Sequence, residues 1–352
     1  MKKILFGTTA LVATGLVAGQ ASAAEKIALS VGGYMQTYVG FSAQDSDYVD
    51  NNRTTVDEEL VGMSQDSEIY FKGSTKLDNG ITVSARFELE ASSGAATGYD
   101  DVVINISSPT LGTIMLGDED NAAWLVHHEA PDVGIDHATG DVEAWISDAS
   151  VTNVGSTRIN NDGSKINYVS PSFGGFGVGA FYQPDVDSSG SDGGYTAVTA
   201  ASSKDPMDQA YGGAVFFDGE VSQGVVLHGD VGYAILNQTA AQEIEVLQVG
   251  ASLKTGGLTL GTSYLNMDQS SGASDGYTFT IGAAYTTGPY SISLSGIFEE
   301  YEGSTTIANN DESTSVMLSA NYNLGPGVDL AASLLWAEFN DESTNKGSSN
   351  EG

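Results

Sequence analysis

The stretch KLDNGITVSARFELE, residues 76–90, contains a tight turn followed by a strict alternation of apolar and polar side chains. From residue 81 onward the apolar positions are Ile81, Val83, Ala85, Phe87 and Leu89. A period of two residues predicts a β-strand with one apolar and one polar face. The alternation continues upstream of Asp78-Asn79-Gly80, a typical tight turn, back to Ile69. The sequence therefore predicts a β-hairpin whose apolar face needs a cover other than water.

The same pattern recurs along the chain and predicts an all-β fold of fifteen strands. No segment shows helical periodicity over more than two turns. The predicted strands are residues 27–41, 68–77, 81–90, 101–107, 112–117, 164–170, 176–183, 211–218, 224–234, 245–254, 258–267, 277–286, 290–295, 316–324 and 328–339.

Short and long connections alternate between these strands. The predicted short turns are residues 78–80, 108–110, 172–174, 219–220, 255–257, 288–289 and 325–327. In an up-and-down meander this places all tight turns at one end and all long loops at the other, which is typical of outer-membrane barrels. The sequence therefore predicts a transmembrane antiparallel up-and-down β-barrel. Lipid would cover its apolar faces, and its polar faces would enclose a water-filled interior.

The N-terminus and the composition predict an exported protein. Residues 1–23 combine Met1-Lys2-Lys3, an apolar run and Ala21-Ser22-Ala23, which together predict a signal peptide cleaved after Ala23. Residues 24–352 would then form the barrel. The formal net charge of −34 argues against binding to nucleic acid. The chain contains no cysteine, so no disulfide holds the fold together.

Three stretches resemble general diffusion porins of Gram-negative bacteria, in particular the alphaproteobacterial type. They are Val31-Gly32-Gly33-Tyr34-Met35, then Lys165-Ile166-Asn167-Tyr168-Val169-Ser170-Pro171, and Phe173-Gly174-Gly175-Phe176. The resemblance covers nearly the whole chain and implies a homotrimer of sixteen-stranded barrels in the outer membrane. It also implies that the third long loop folds inward and narrows the lumen. In this sequence the third long connection is residues 118–163, the longest of all.

The end of the sequence departs from this family, whose chains finish with a strand that ends in an aromatic residue. The predicted strand count of fifteen is odd, whereas single-chain bacterial barrels have an even number of strands. Residues 340–352 read as a polar loop. We therefore expect the sixteenth strand to be missing from this sequence.

The loop at residues 118–163 is strongly acidic, because it contains ten acidic residues and a single base, Arg158. The candidate constriction residues are Asp118, Glu119, Asp120, Glu129, Asp132, Asp136, Asp141 and Glu143. Basic residues on the polar faces of the predicted strands, Lys72, Arg86 and Lys165, are expected to line the pore wall opposite this loop, as the resemblance implies. Because the acids outnumber these bases, we expect weak to moderate cation selectivity.

Metal sites and enzymatic chemistry find little support in the sequence. His127, His128 and His137 fit no standard zinc spacing. Calcium is a better candidate, since Asp118, Glu119 and Asp120 offer hard oxygen ligands. No nucleophile motif and no nucleotide-binding motif is recognisable, so we expect no enzymatic activity and no organic cofactor.

The sequence therefore predicts a porin, a water-filled channel for the passive diffusion of small hydrophilic solutes and ions. Two alternatives remain open at this point. A substrate-specific outer-membrane channel would have the same barrel, and the predicted inward tyrosines Tyr34, Tyr38 and Tyr70 are too few to decide. A secreted acidic calcium-binding adhesin would lack the alternation of long and short loops.

Overall fold

The fold is described from a computed structural model of the chain. The structure describes residues 27–44, 61–91, 99–135, 137, 145–146, 163–184, 186, 209–239, 242–270, 275–302, 310–340 and 350–352. The predicted signal peptide lies outside these residues.

Sixteen antiparallel strands and one short helix make up the described fold. The strands are β1 Ala28–Gly40, β2 Gly62–Lys76, β3 Thr82–Glu90, β4 Tyr99–Ser108, β5 Gly112–Asp118, β6 Ser164–Val169, β7 Phe176–Gln183, β8 Gln209–Ser222, β9 Val225–Thr239, β10 Gln242–Thr255, β11 Leu258–Gln269, β12 Gly276–Thr287, β13 Tyr290–Tyr301, β14 Asp311–Gly325, β15 Val328–Asn340 and β16 Asn350–Glu351. The helix α1, Ala122–Leu125, follows β5. Among the described residues, no helix is long and apolar enough to cross a bilayer.

Each strand pairs only with its neighbours in sequence, so the sheet runs in order from β1 to β16. The prediction of an all-β up-and-down meander is thus confirmed. Six of the seven short connections at the tight-turn end of the sheet contain a glycine with positive φ, for example Gly80 at 84° and Gly256 at 56°, and the seventh is followed directly by Gly112 at 85°. Side chains other than glycine rarely adopt this conformation, which explains why tight turns form at these positions.

The two faces of the sheet differ in polarity as the period-two pattern predicts. Large apolar side chains cover the outer face and are exposed, including Met35 at 71% and Leu334 at 73%. The inner face carries buried hydroxyl, amide and charged side chains, such as Thr280, Gln248 and Asp230. An apolar exterior and a polar interior are the arrangement expected when lipid lies outside and water inside.

The sheet curves until its last strand reaches the segment that follows its first. The two-residue strand β16 pairs with Glu338 and Phe339 of β15. Asn350 of β16 donates a hydrogen bond from Nδ2 to Oε1 of Gln44, at 2.8 Å. Contacts on both sides of β16 therefore bring the two ends of the meander close together, although no ladder pairs β1 with β16 among the described residues.

Three sequence predictions differ from the observed elements. The sequence predicts fifteen strands, whereas the structure adds β16 within the segment that reads as a polar loop. The short turn predicted at residues 219–220 is wrong, because β8 continues to Ser222 and the positive-φ glycine is Gly224. The gap between the strands predicted at residues 224–234 and 245–254 is too long, since β9 extends to Thr239 and β10 begins at Gln242.

Candidate functional site

Between β5 and β6 the structure describes residues 119–135, 137, 145–146 and 163; this described segment lies on the inner side of the sheet, and we call it the inner loop. Its first residues are held by charge against β3 and β6. Glu119 forms an ion pair with Arg86, and its backbone carbonyl accepts a hydrogen bond from Nζ of Lys165 at 2.6 Å. Burial raises the pKa of Glu119, and the Arg86 guanidinium opposes this rise. Just before the loop, Asp118 accepts a hydrogen bond from Oγ of Ser164.

The helix α1 forms directly after this anchor and packs against β6. Asn121 is the N-cap, and its Oδ1 accepts hydrogen bonds from two backbone N–H groups of α1 at 3.0 and 3.1 Å. Asn167 of β6 binds the backbone on both sides of Asn121. It accepts from the N–H of Ala122 at 2.9 Å and donates to the carbonyl of Asp120 at 3.0 Å. Buried amide side chains thus fix the position of the helix.

Asp230 of β9 is the centre of the next contact. Its side chain is fully buried and lies 2.7 Å from Nδ1 of His127. It also accepts a hydrogen bond from the backbone N–H of His128 at 3.0 Å. Gln248 of β10 joins the two by donating from Nε2 to Asp230 at 3.2 Å and to the carbonyl of Ala123 at 2.8 Å. One buried carboxylate therefore holds two consecutive residues of the inner loop.

Two stacked imidazole rings lie beside this carboxylate. The rings of His128 and His228 have centroids 4.5 Å apart and an interplanar angle of 32°. Nδ1 of His228 lies 3.1 Å from Oδ1 of Asp218 on β8. Burial lowers the pKa of His128 to about 4, and the neighbouring His228 adds to this effect. His128 is therefore neutral at pH 7 while the loop is docked.

Further along, the inner loop follows the barrel wall through hydrogen bonds to hydroxyl groups. The N–H of Ala130 donates to Oγ1 of Thr280 at 3.2 Å, and the N–H of Val133 donates to Oγ of Ser293 at 3.1 Å. These partners lie on the consecutive strands β12 and β13. The loop thus crosses the strands in order and does not project from the barrel.

His137 continues this path with both of its ring nitrogens. Nδ1 lies 2.7 Å from Oγ of Ser295, and Nε2 lies 2.8 Å from Oγ of Ser315 on β14. Burial lowers the pKa of His137 to about 4. A hydroxyl oxygen both accepts and donates, so either protonation state of this ring can satisfy both contacts.

Inward-facing glycines give the loop room to approach the wall. A Cβ at Gly179 would lie 2.7 Å from the carbonyl oxygen of Ala122, and one at Gly261 would lie 2.9 Å from Cδ of Pro131. Both separations are shorter than real Cβ contacts. The loop backbone can therefore lie on β7 and β11 only because these positions have no side chain.

The far end of the described loop reaches the first two strands. Trp145 lies against the cross-strand glycine pair Gly40 and Gly62, where a Cβ at Gly40 would lie 2.6 Å from Cε3 of the indole. Next to it, Ile146 packs with Ala337 of β15. The inner loop is therefore held at both ends, at its start by β3 and β6 and at its far end by β1, β2 and β15.

Carboxylates from β2 and β3 lie close to the tyrosine Tyr34 of β1 on the inner face of the sheet. The inner face there is rich in carboxylates. Asp66, Glu68 and Glu90 have oxygen atoms that all lie within 4.8 Å of one another. Tyr34 donates a hydrogen bond to Asp66 at 2.7 Å, and its hydroxyl lies 3.0 Å from Oε1 of Glu68. Nζ of Lys72 lies 4.6 Å from the centre of the Tyr70 ring.

The structure places two of the predicted basic residues beside the beginning of the inner loop. Arg86 and Lys165 face the interior, as expected from their strand positions. Arg86 also pairs with Glu88 at 3.2 Å and with Asp101 at 2.9 Å. Both side chains thus contact the first residue of the inner loop, and the basic wall opposite the acidic loop stays a prediction.

The predicted acidic residues separate into two groups. Asp118, Glu119, Asp120, Glu129 and Asp132 lie among the described residues, whereas Asp136, Asp141 and Glu143 lie outside them. In the described part of the chain, the only group of three or more acidic or imidazole side chains with converging ligand atoms is Asp66, Glu68 and Glu90. The proposed calcium ligands Asp118, Glu119 and Asp120 do not form such a group.

Sequence reasoning missed the residues on the wall that hold the loop. Asp230, Gln248 and Asn167 are polar side chains on inward positions of their strands, where water alone would satisfy them. Their partners in the inner loop are between 45 and 125 residues away in sequence. The one available signal was Asp230 itself, a charge in the middle of a strand.

A sixteen-stranded meander with an apolar exterior, a polar interior and a loop folded against its inner wall is the architecture of a transmembrane β-barrel channel. The chain belongs to the Gram-negative porin family, whose sequence profile matches residues 7–342. A search of curated proteins found no match to this sequence.

Solved porin structures have the same fold. OmpT of Vibrio cholerae in its trimer form is 12% identical, with a TM-score of 0.61 and coverage of 93% of each chain. A porin structure is 18% identical, with a TM-score of 0.54 and coverage of 93% of this chain and 97% of that one. A mutant of the porin of Rhodopseudomonas blastica is 16% identical, with a TM-score of 0.51 and coverage of 92% and 96%. At these identities the likeness concerns the fold alone.

Family and fold together confirm the prediction of an outer-membrane porin for passive diffusion. They indicate a channel and not an enzyme. The strands of the barrel enclose the passage, and the inner loop lies inside the barrel.

Proposed function

We propose that the channel passes small hydrophilic solutes and ions and favours cations over anions. The observation that carries this proposal is the pairing of Arg86, the one arginine among the described residues. Three carboxylates, those of Glu88, Asp101 and Glu119, surround this guanidinium. Its positive charge is therefore neutralised locally, and more carboxylates remain around the passage than cations.

The passage beside β1 to β3 carries the acids that act on a passing ion. Glu68 and Glu90 are directly opposite one another in the pairing of β2 with β3, and Asp66 lies close to both. Like charges placed opposite each other repel, which makes the site attractive to mobile cations from solution. The charges act within a Debye length, about 8 Å at physiological ionic strength, so the preference weakens as salt rises.

The test is the reversal potential of the channel across a KCl gradient in a planar bilayer. We expect Glu90→Gln to move the reversal potential toward zero. Asp78→Asn is the matched control, because it also removes one negative charge but lies in the short turn between β2 and β3. An equal shift in both variants would show that overall charge, and not the passage, determines selectivity.

A second variant separates the wall acids from the loop acids. Replacing Asp118, Glu119 and Asp120 with Asn, Gln and Asn removes acids at the start of the inner loop. Two of these side chains contact Ser164 and Arg86, so the wall acids are expected to have the larger effect on selectivity. A larger effect from the loop variant in calcium-free buffer would assign the selectivity to the loop. Loss of selectivity only when calcium is added would support a bound calcium ion there.

We also propose that the channel is a homotrimer exported by its signal peptide and embedded in outer-membrane lipid. The trimer form of OmpT from Vibrio cholerae supports the oligomeric state. The exposed apolar outer face supports contact with lipid. Light scattering in detergent tests the trimer, and sequencing of the mature N-terminus tests cleavage after Ala23.

A further inference from the structure

The seam of the barrel, where β15 and β16 approach β1, is the joint with the least backbone pairing. The two residues of β16 pair with Glu338 and Phe339 of β15, and Gly352 exchanges two backbone hydrogen bonds of 3.0 Å with Ala337. On the other side of the seam, β1 pairs only with β2 among the described residues. The shortest of the other ladders, between β6 and β7, joins four residue pairs. Within the described part of the chain, side-chain contacts are therefore the main link across the seam.

We propose that Trp145 and Ile146, two consecutive residues of the inner loop, form a clasp that holds the seam closed from inside the barrel. The indole of Trp145 binds the β1 side of the seam, and the side chain of Ile146 binds the β15 side. The clasp adds to the hydrogen bond from Asn350 to Gln44. It is independent of the cation preference proposed above.

On the β1 side, the indole of Trp145 covers the cross-strand pair Gly40 and Gly62. A Cβ at Gly40 would lie 2.6 Å from both Cε3 and Cη2 of the ring, and one at Gly62 would lie 3.2 Å from Cζ3. Real Cβ atoms essentially never come closer than 3.0 Å to another heavy atom. The indole can therefore contact β1 this closely only because residue 40 has no side chain. An aromatic side chain of this size offers about 150–250 Å² of surface for burial.

On the β15 side, Ile146 lies in an apolar contact on the inner face of the wall. It is 4% exposed and packs with Ala337, which is fully buried, and with Leu335. A Cβ at Gly352 would lie 3.2 Å from Cδ1 of Ile146 and 2.8 Å from the carbonyl oxygen of Ala43, which follows β1. The chain at Gly352 therefore lies between the two sides of the seam, and Ile146 contacts it.

The two contacts act together because Trp145 and Ile146 are joined by a peptide bond. If β1 moved away from β15, at least one of the two side chains would lose its partner. On an inner face that is otherwise polar, the exposed apolar surface would then meet water, which opposes the movement. The clasp thus supplies by apolar burial what the described backbone pairing lacks at this joint.

Spin-label distances across the seam test the clasp. The chain contains no cysteine, so two introduced cysteines are the only labelling sites. Val39→Cys and Leu334→Cys place nitroxides on exposed outer positions on either side of the seam. Leu294→Cys with Leu334→Cys is the reference pair, because both residues are paired with Leu318 of β14 and span a complete ladder. Pulsed EPR in detergent gives both distance distributions.

Trp145→Ala and Ile146→Ala should each broaden the Val39–Leu334 distribution. We also expect a shift to longer distance by about 5 Å, the spacing of one strand. The Leu294–Leu334 distribution should stay unchanged. An unchanged seam distance in both variants would overturn the proposal. So would an equal change in the two label pairs, because it would show that the whole barrel has loosened.

Trp124→Ala is the matched control, because it removes another indole from the inner loop. The Trp124 ring lies beside His127, with ring centres 5.2 Å apart, and belongs to α1. This variant should leave the seam distance at its wild-type value. A shift as large as that of Trp145→Ala would assign the effect to the loop in general and would contradict the clasp.

Gly40→Ala tests the same contact without truncating the clasp, so it remains informative if Trp145→Ala or Ile146→Ala does not fold. The added methyl group should displace the indole and shift the seam distance. Gly62→Ala should have a smaller effect, because its Cβ lies farther from the ring. Equal effects of the two glycine variants would count against the contact at β1. Ion flow does not enter these distances, so a failure of the cation preference in the bilayer would leave the clasp unaffected.

Discussion

Replacing Gly250 of β10 with alanine should push the inner loop away from the wall. A Cβ at this position would lie 2.5 Å from Oδ2 of Asp230 and 2.8 Å from Cε1 of His127, and closer still to the carbonyl oxygen of His128. An ordinary contact begins at 3.4 Å. Gly250 cannot move away, because β10 is hydrogen-bonded to β9 on one side and to β11 on the other. The loop backbone must therefore move by about 1 Å.

The cost combines steric overpacking with the strain placed on two hydrogen bonds to Asp230. Overpacking of a close-packed contact costs about 1–3 kcal/mol. We expect Gly250→Ala to lower the free energy of unfolding by about this amount and to reduce single-channel conductance. Guanidinium unfolding in detergent measures the first quantity, and planar-bilayer recording measures the second.

Gly229→Ala on the adjacent strand β9 is the control. The nearest atom to a Cβ at Gly229 is the carbonyl oxygen of Gly250 at 3.7 Å, an ordinary contact. Its stability should change by less than about 0.5 kcal/mol. Identical stability and conductance in the two variants would refute the close approach of the loop to β10.

The remaining predictions concern the other anchors of the loop and the charge of the passage. Arg86→Gln removes the cation that pairs with three carboxylates. We expect a stronger cation selectivity, measured by the reversal potential, and a lower free energy of unfolding, measured in guanidinium. Unchanged selectivity would show that Arg86 lies away from the ion path. Asn167→Ala leaves the carbonyl of Asp120 and the N–H of Ala122 without their partner and should lower the free energy of unfolding by about 1–3 kcal/mol. Asn105→Ala, on β4 but on the same inner face of the sheet, should lower it less. Trp145→Ala removes the contact with Gly40 and Gly62 and should increase fluctuations of the open-channel current; a current as quiet as that of the wild type would argue against this anchor.

The alternation of apolar and polar side chains predicted the barrel because each strand has only two faces, one toward lipid and one toward the interior. In β12, for example, Ile281 is exposed on the outer face and Thr280 is buried on the inner one, as the period of two requires. Errors arose where this pattern weakens. Gly219-Glu220 has the composition of a turn, but the turn lies at Gly224, since pairing with β9 continues to Ser222 and extends the strand.

The inner loop could be assigned to the lumen by resemblance, but its path could not be derived from the sequence. Its contacts join single polar residues on different strands, such as Ala130 with Thr280 and His137 with Ser315. No local pattern encodes such pairs. The partners of Arg86, namely Glu88, Asp101 and Glu119, could not be derived from the sequence for the same reason. A strand position gives the direction of a side chain, but not which of several carboxylates it contacts.

The long sequence separation of the loop contacts determines when the pore acquires its final width during folding. The strands pair only with sequence neighbours, so the meander can assemble one hairpin after another with little loss of chain entropy. The bond between His137 and Ser315 instead spans 178 residues and cannot form until β14 is in place. The loop therefore docks last. A barrel in which assembly stops before this step would lack the loop on its inner wall, so docking of the loop is the step that separates a folding intermediate from the finished channel.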